Sequence, residues 1–182
     1  TKKVLPHADY CLDFHTGGAS RFNAAQIRIK PGDEKLLELA KVFNAPFTVF
    51  SNTIEKSYRN TCHKMGIPVL LFEGGKSRES NKHIAKEGVD GILRVLAHLD
   101  MLGKRHVAPE PNAKTVIIEK SKWIRAYRSG LLHVKIDCNK HVEKGEFLAT
   151  ITDPYGKMRF KVTSPNEGYI INVNQSPIVN QG

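Results

Sequence analysis

Ala8-Asp9-Tyr10-Cys11-Leu12-Asp13-Phe14-His15-Thr16-Gly17-Gly18 is the stretch whose reading decides the fold. Tyr10, Leu12 and Phe14 alternate with Cys11 and Asp13, the period of a strand, and the glycine pair marks a close backbone turn after it. The strand is expected to be buried and to deliver His15 just beyond its carboxyl end, where ligands sit in open α/β sheets. A second stretch repeats the arrangement. Ile67-Pro68-Val69-Leu70-Leu71-Phe72 is apolar, too short for a helix, and runs into Glu73-Gly74-Gly75. Two strands thus supply one imidazole and one carboxylate, each beside glycines.

The segments Asp13-Phe14-His15-Thr16-Gly17-Gly18 and Pro68-Val69-Leu70-Leu71-Phe72-Glu73-Gly74-Gly75 resemble those of the succinylglutamate desuccinylase/aspartoacylase family, zinc-carboxypeptidase-like amide hydrolases. The resemblance implies a zinc cofactor, with His15 as the third zinc ligand and Glu73 as the general base. It implies a deacylase whose small-molecule partner is an N-acyl amino acid or a related compound. It also reaches the last residue, because the C-terminal segment looks like the family's small β domain. The family's first two ligands come from a His-x-x-Glu motif upstream of the third, and no His-x-x-Glu occurs in the 182 residues. The chain is therefore expected to be the C-terminal portion of a longer enzyme, binding zinc weakly and inactive by itself. An apolar edge is expected near Leu12, Phe14, Leu71 and Phe72, covered by the missing half or by another copy.

Composition is ordinary for a globular chain, 40% hydrophobic and 25% charged. No apolar run reaches membrane-spanning length, and the basic start Thr1-Lys2-Lys3 leads into proline and histidine rather than a signal-peptide core. No membrane partner is expected. Cys11, Cys62 and Cys138 are scattered, odd in number and without Cys-x-x-Cys spacing, which argues against a disulfide framework or structural zinc and for a cytoplasmic setting. The net charge of +10 invites a nucleic-acid reading. Its basic residues are dispersed and lack interleaved aromatics, so a surface attractive to small anions is the expected meaning.

Along the chain, Ser20 to Asn23 reads as a polar loop and Gln26 to Ile29 as a short strand. A helix is expected from Asp33, its N-cap, to about Asn44, then a strand over Phe47 to Phe50 and a helix from about Ile54 to Met65. The Glu73 strand follows, then a long amphipathic helix after Ser80-Asn81 that ends near Leu102. Strands separated by helices predict a layered α/β domain with a largely parallel sheet over residues 1–105. His106 to Ala113, with two prolines, is the expected linker. Residues 114–182 read as all-β, with strands at 116–118, 123–126, 131–134, 147–151, 160–162 and 169–171. Val142-Glu143-Lys144-Gly145 and Val179-Asn180-Gln181-Gly182 form a faint repeat that resembles the barrel-sandwich hybrid of biotinyl and lipoyl carriers. That suggests an alternative function, a carrier or interaction module. Lys157, after the turn Asp153-Pro154-Tyr155-Gly156, is its one candidate for modification, though Gly156 stands where a biotin acceptor has Met or Ala and no Asp-Lys-Ala motif occurs.

The bland readings stand beside the chemical ones. A Glu-Gly-Gly turn is as often a surface connection as a catalytic one, and a lone histidine is more often structural than a ligand. Asp13 favours the ligand reading for His15, since a metal-bound imidazole usually donates its other N–H to a carboxylate or carbonyl. Arg21, Asn23, Arg28, Arg59 and Arg78 lie in or near the flanking loops. Arg21 and Arg78, each a few residues past a candidate strand, are chosen as substrate-carboxylate anchors. His83 and Glu87 share a helical face but read as a solvated pair. Gly74 to Ser77 lacks phosphate-loop spacing.

Overall fold

The computed structural model describes residues 3–182, so Thr1 and Lys2 of the basic start lie outside the described residues. In chain order the strands and helices are β1 (Cys11–Gly17), β2 (Arg21–Ile29), α1 (Glu34–Phe43), β3 (Phe47–Phe50), α2 (Tyr58–Lys64), β4 (Val69–Lys76), α3 (Lys82–His98), β5 (Val116–Ile118) and β6 (Gly130–Val134). Then come β7 (His141–Val142), β8 (Phe147–Thr152), β9 (Arg159–Thr163), β10 (Gly168–Tyr169), β11 (Asn172–Asn174) and β12 (Ile178–Val179).

Local signals set the helix starts. Asp33, Ser57 and Asn81 are the N-caps, their side chains accepting the N–H groups of Leu36, Asn60 and Ile84 at 3.0, 3.1 and 3.1 Å. Asn44, left-handed at φ 53°, closes α1. α2 starts later than its sequence suggests because Ser57 takes the cap, and α3 stops at His98, short of the expected Leu102, with Asp100 turning left-handed at φ 55°.

The main sheet has the order β1-β4-β2-β3-β5, with β11 also on β2. It is mixed rather than largely parallel. β1 runs parallel to β4, and β2, β3 and β5 run parallel to each other, but β4 is antiparallel to β2. β1 is an edge strand, not a buried one, and Phe14 is 44% exposed on it. Leu71 and Phe72, expected to be exposed, are buried, Phe72 packing against Phe14 and Phe43 in the core. One face of the sheet carries Ala25, Ile27, Ile29, Leu70 and Phe72 against α1 and α3, the main core. Gly91 of α3 lets the ring of Phe43 approach its backbone.

Beyond residue 113 the strands divide between sheets. β12-β6-β8-β9 form a four-stranded sheet and β7-β10 a ribbon, with Lys157 exposed in the β8–β9 turn. β5 instead extends the main sheet. The Asn44 side chain pins the connector there, donating to Ala113 O at 2.6 Å and accepting from Thr115 N at 2.9 Å. β11 likewise lies on β2, where Ile171 and Cys138 join Ala24, Phe47 and Val49 in a small apolar cluster. Residues 123–126 form no strand; Trp123 and Ile124 lie exposed. Among the described residues no helix is long and apolar enough to cross a membrane.

Candidate active site

On the face of the main sheet opposite α1 and α3, alternation places Cys11, Asp13 and His15 of β1 beside Val69, Leu71 and Glu73 of β4. His15 and Glu73 are paired in register, as are Glu73 and Gln26 of β2. Both candidate residues lie inside their strands rather than beyond them, since β1 continues to Gly17 and β4 to Lys76.

Asn23 reaches the same face through a bulge. Between the β2–β4 pairs Asn23–Gly75 and Gln26–Glu73, β2 spends one residue more than β4. In a regular strand residues three apart point to opposite faces, and the bulge is what brings Asn23 to the face of Gln26. Its Nδ2 donates to Glu73 Oε2 at 2.9 Å, and its Oδ1 accepts from Asn172 Nδ2 of β11. Arg28, two residues along from Gln26, places Nη2 3.3 Å from the same Glu73 Oε2. Among the described residues Glu73 Oε1 has no hydrogen-bond partner, and it is not one of the buried unpaired atoms, so it stays open to solvent. The carboxylate is therefore gripped by one oxygen and free at the other.

Arg59 of α2 approaches from above the sheet. Its guanidinium donates to Ser51 Oγ and to the carbonyls of Ser51 and Asn52 at 3.1, 3.3 and 2.7 Å. Burial lowers its pKa, the Arg28 charge lowers it further, and Glu73 and Asp13 act in the opposite sense.

His15 Nε2 lies 3.1 Å from Asp13 Oδ2, as the sequence suggested. A neutral imidazole donating there keeps Nδ1 as a lone pair, the arrangement of a metal-ligating histidine braced by a carboxylate. His15 is half exposed, so that nitrogen is accessible. The donor chemistry suits one corner of a zinc site. Among the described residues no three-donor group includes His15; the one such group is His141, Glu143 and Glu167, all exposed on the β7–β10 ribbon. There the carboxylates flank opposite ring nitrogens at 3.9 and 3.4 Å, as in a solvated ion-pair network. His83 and Glu87 are 3.8 Å apart with His83 largely in solvent.

The two arginines chosen from sequence are not in contact with these groups. Arg21 stacks over the Trp123 ring at 5.3 Å, and Arg78 is exposed in the turn after β4 at φ 63°. Arg28 and Asn23 are the ones brought to Glu73. Alternation with Gln26 was a signal for Arg28; nothing local distinguished Arg59 or Asn172.

A model of the succinylglutamate desuccinylase/aspartoacylase catalytic domain matches residues 1–99. No curated protein matches the chain. Among solved structures, the apo form of the ectoine utilization protein EutE (DoeB) from Ruegeria pomeroyi is similar over the whole chain, with 22% identity and a TM-score of 0.84. A succinylglutamate desuccinylase from a Silicibacter species is similar over the whole chain at 22% identity and TM-score 0.80. A succinylglutamate desuccinylase/aspartoacylase from Rhodobacter sphaeroides also gives 22% and 0.80, over 99% of the chain. The chain spans 60%, 57% and 57% of the lengths of these three proteins. At such identities the likeness is one of fold.

Proposed function

The chain belongs to the succinylglutamate desuccinylase/aspartoacylase family, and from that premise we propose that it is part of a zinc-dependent deacylase that hydrolyses the amide bond of an N-acyl amino acid or a similar small molecule. The observation that carries this reading is the register pairing of His15 with Glu73, with Glu73 Oε2 held by Asn23 and Arg28 and Oε1 open. His15 would contribute one zinc ligand through Nδ1, oriented by Asp13. A zinc ion bound there supplies a lowered pKa for bound water and polarises a carbonyl.

The chain's own residues carry the remaining steps. Glu73 Oε1 accepts a proton from the attacking water and delivers it to the leaving amine, the work of a general base that becomes a general acid. Asn23 and Arg28 keep the carboxylate from rotating during both transfers. The charges of Arg28 and Arg59 favour a carboxylate-bearing substrate on this face, where a guanidinium can bind it through two N–H groups. Arg21 and Arg78 remain anchors for more distant parts of a substrate. On this reading residues 1–105 are the C-terminal part of the catalytic unit and 106–113 a connector. Residues 114–182 are a β unit that lends β5 and β11 to the catalytic sheet, the latter supplying Asn172.

The test is deacylation of a panel of N-acyl amino acids by the full-length protein and its Glu73→Gln variant, with zinc content measured on both. Loss of turnover with zinc retained supports the assignment. Unchanged turnover in Glu73→Gln overturns it.

A further inference from the structure

The opposite end of this half of the sheet holds a cavity of about 280 Å³ between the end of β2, the start of α1, α2 and the start of β4. Lys30, Lys35, Arg59 and His63 line it, with Asp33 as the one carboxylate. Val69, also in its wall, precedes Glu73 by four residues, roughly 13 Å along an extended strand. We infer that this cavity binds a small multiply charged oxyanion, presented as phosphate or clustered carboxylates, at a site built on Lys30, Lys35 and His63 that shares only Arg59 with the Glu73 face.

The charge count supports an anion. Lys30, Lys35 and Arg59 line the cavity beside one carboxylate, with the Lys35 ammonium also over the Tyr10 ring at 5.1 Å, and Asp33 already spends Oδ1 on the Leu36 N–H as the cap of α1. Among the described residues no carboxylate comes within 4.0 Å of the Lys30, Lys35 or Arg59 nitrogens. The Lys30 ammonium lies 2.8 Å from His63 Nε2. An ammonium has only donors, so His63 Nε2 accepts and its proton sits on Nδ1. The pair therefore offers further N–H groups and no acceptor. α1 begins at the same wall, and the N–H groups of Glu34 and Lys35 in its first turn lack intrahelical acceptors. A helix start reinforces anion binding where side-chain cations already converge. Arg59 lines the cavity while sensing the charges of Asp13 and Glu73, so it stands between the two sites.

The experiment is a titration of the 182-residue protein with inorganic phosphate, and separately with citrate, at constant ionic strength, followed by amide NMR. Saturable shifts at Lys35 and Gly66 are expected, with at least fivefold weaker binding in Lys30→Gln. Lys35→Gln, at an exposed position, gives the same readout should Lys30→Gln fail to fold, and Lys157→Gln is the control that leaves affinity unchanged. Tighter binding of phosphate identifies phosphate esters as the class, and tighter binding of citrate identifies polycarboxylates. Shifts that do not saturate, or equal weakening by Lys157→Gln, overturn the site and leave only the diffuse counter-ion attraction of a chain with charge +10.

Discussion

His15 and Glu73 are register partners on adjacent parallel strands, so an imidazole and a carboxylate leave the same face of the sheet one strand spacing apart, about 4.8 Å at the backbone. Asp13 stands two residues behind His15 on that face and touches its Nε2. The pairing makes the two residues separable by experiment. In the full-length protein, Glu73→Gln is expected to lower kcat by a factor on the order of 10²–10⁴ with zinc content unchanged. His15→Ala is expected to lower zinc content, read by atomic absorption after dialysis.

The Glu73–Asn23–Asn172 chain ties the C-terminal strand β11 to the Glu73 carboxylate. Asn172→Ala removes the donor to Asn23 Oδ1 and is expected to cost about 1–3 kcal/mol of stability in a urea unfolding curve. The Oδ1 of Asn172 is itself buried and unpaired, which its removal relieves, so the loss belongs at the lower end of that range. Asn172→Ala in the full-length protein should lower kcat more than it raises KM.

Gly17 ends β1 where a Cβ would meet the backbone oxygens of Arg21 and Gly75. Those atoms belong to paired strands and cannot step aside as a side chain would. Gly17→Ala is expected to destabilise the protein by roughly 1–3 kcal/mol, as overpacking does, and to displace His15. Gly18→Ala is the matched control, since no atom lies within 4 Å of the Cβ it would gain.

The Cys138 thiol, packed beneath β2, is pushed up to about 11 by burial. Its pKa is higher folded than unfolded, so the stability it contributes is complete below the ordinary thiol value of 9.0 and declines as pH rises toward 11. Thermal unfolding of the wild type should show a steeper fall in Tm over that window than Cys138→Ala does. Alkylation at pH 8 should label Cys138 slowly until the protein is unfolded.

Much of the chain was legible because its signals are local. Asp33 and Asn81 announce helix starts by accepting an N–H three residues on, and the apolar spacing behind them gives the helices. Tyr10, Leu12 and Phe14 gave the first strand, and alternation put Asp13 and His15 on one face, where the structure shows them in contact. Strand direction was not legible. The reversal of β4 against β2 depends on which strands pair, and apolar runs are the same read either way.

The residues that hold Glu73 show the same division. The amino-acid sequence by itself determined that two strands carry an imidazole with a neighbouring carboxylate and a second carboxylate before two glycines, though it set both at strand ends and the strands run on past them. Only the tertiary structure decided what grips Glu73. Asn172, which holds Asn23, comes from a strand nearly a hundred residues downstream. Asn23 faces the carboxylate because one extra residue bulges β2, and in a strand of period two a single residue exchanges one face for the other. That exchange is set by hydrogen bonds between strands, which no single strand's sequence records.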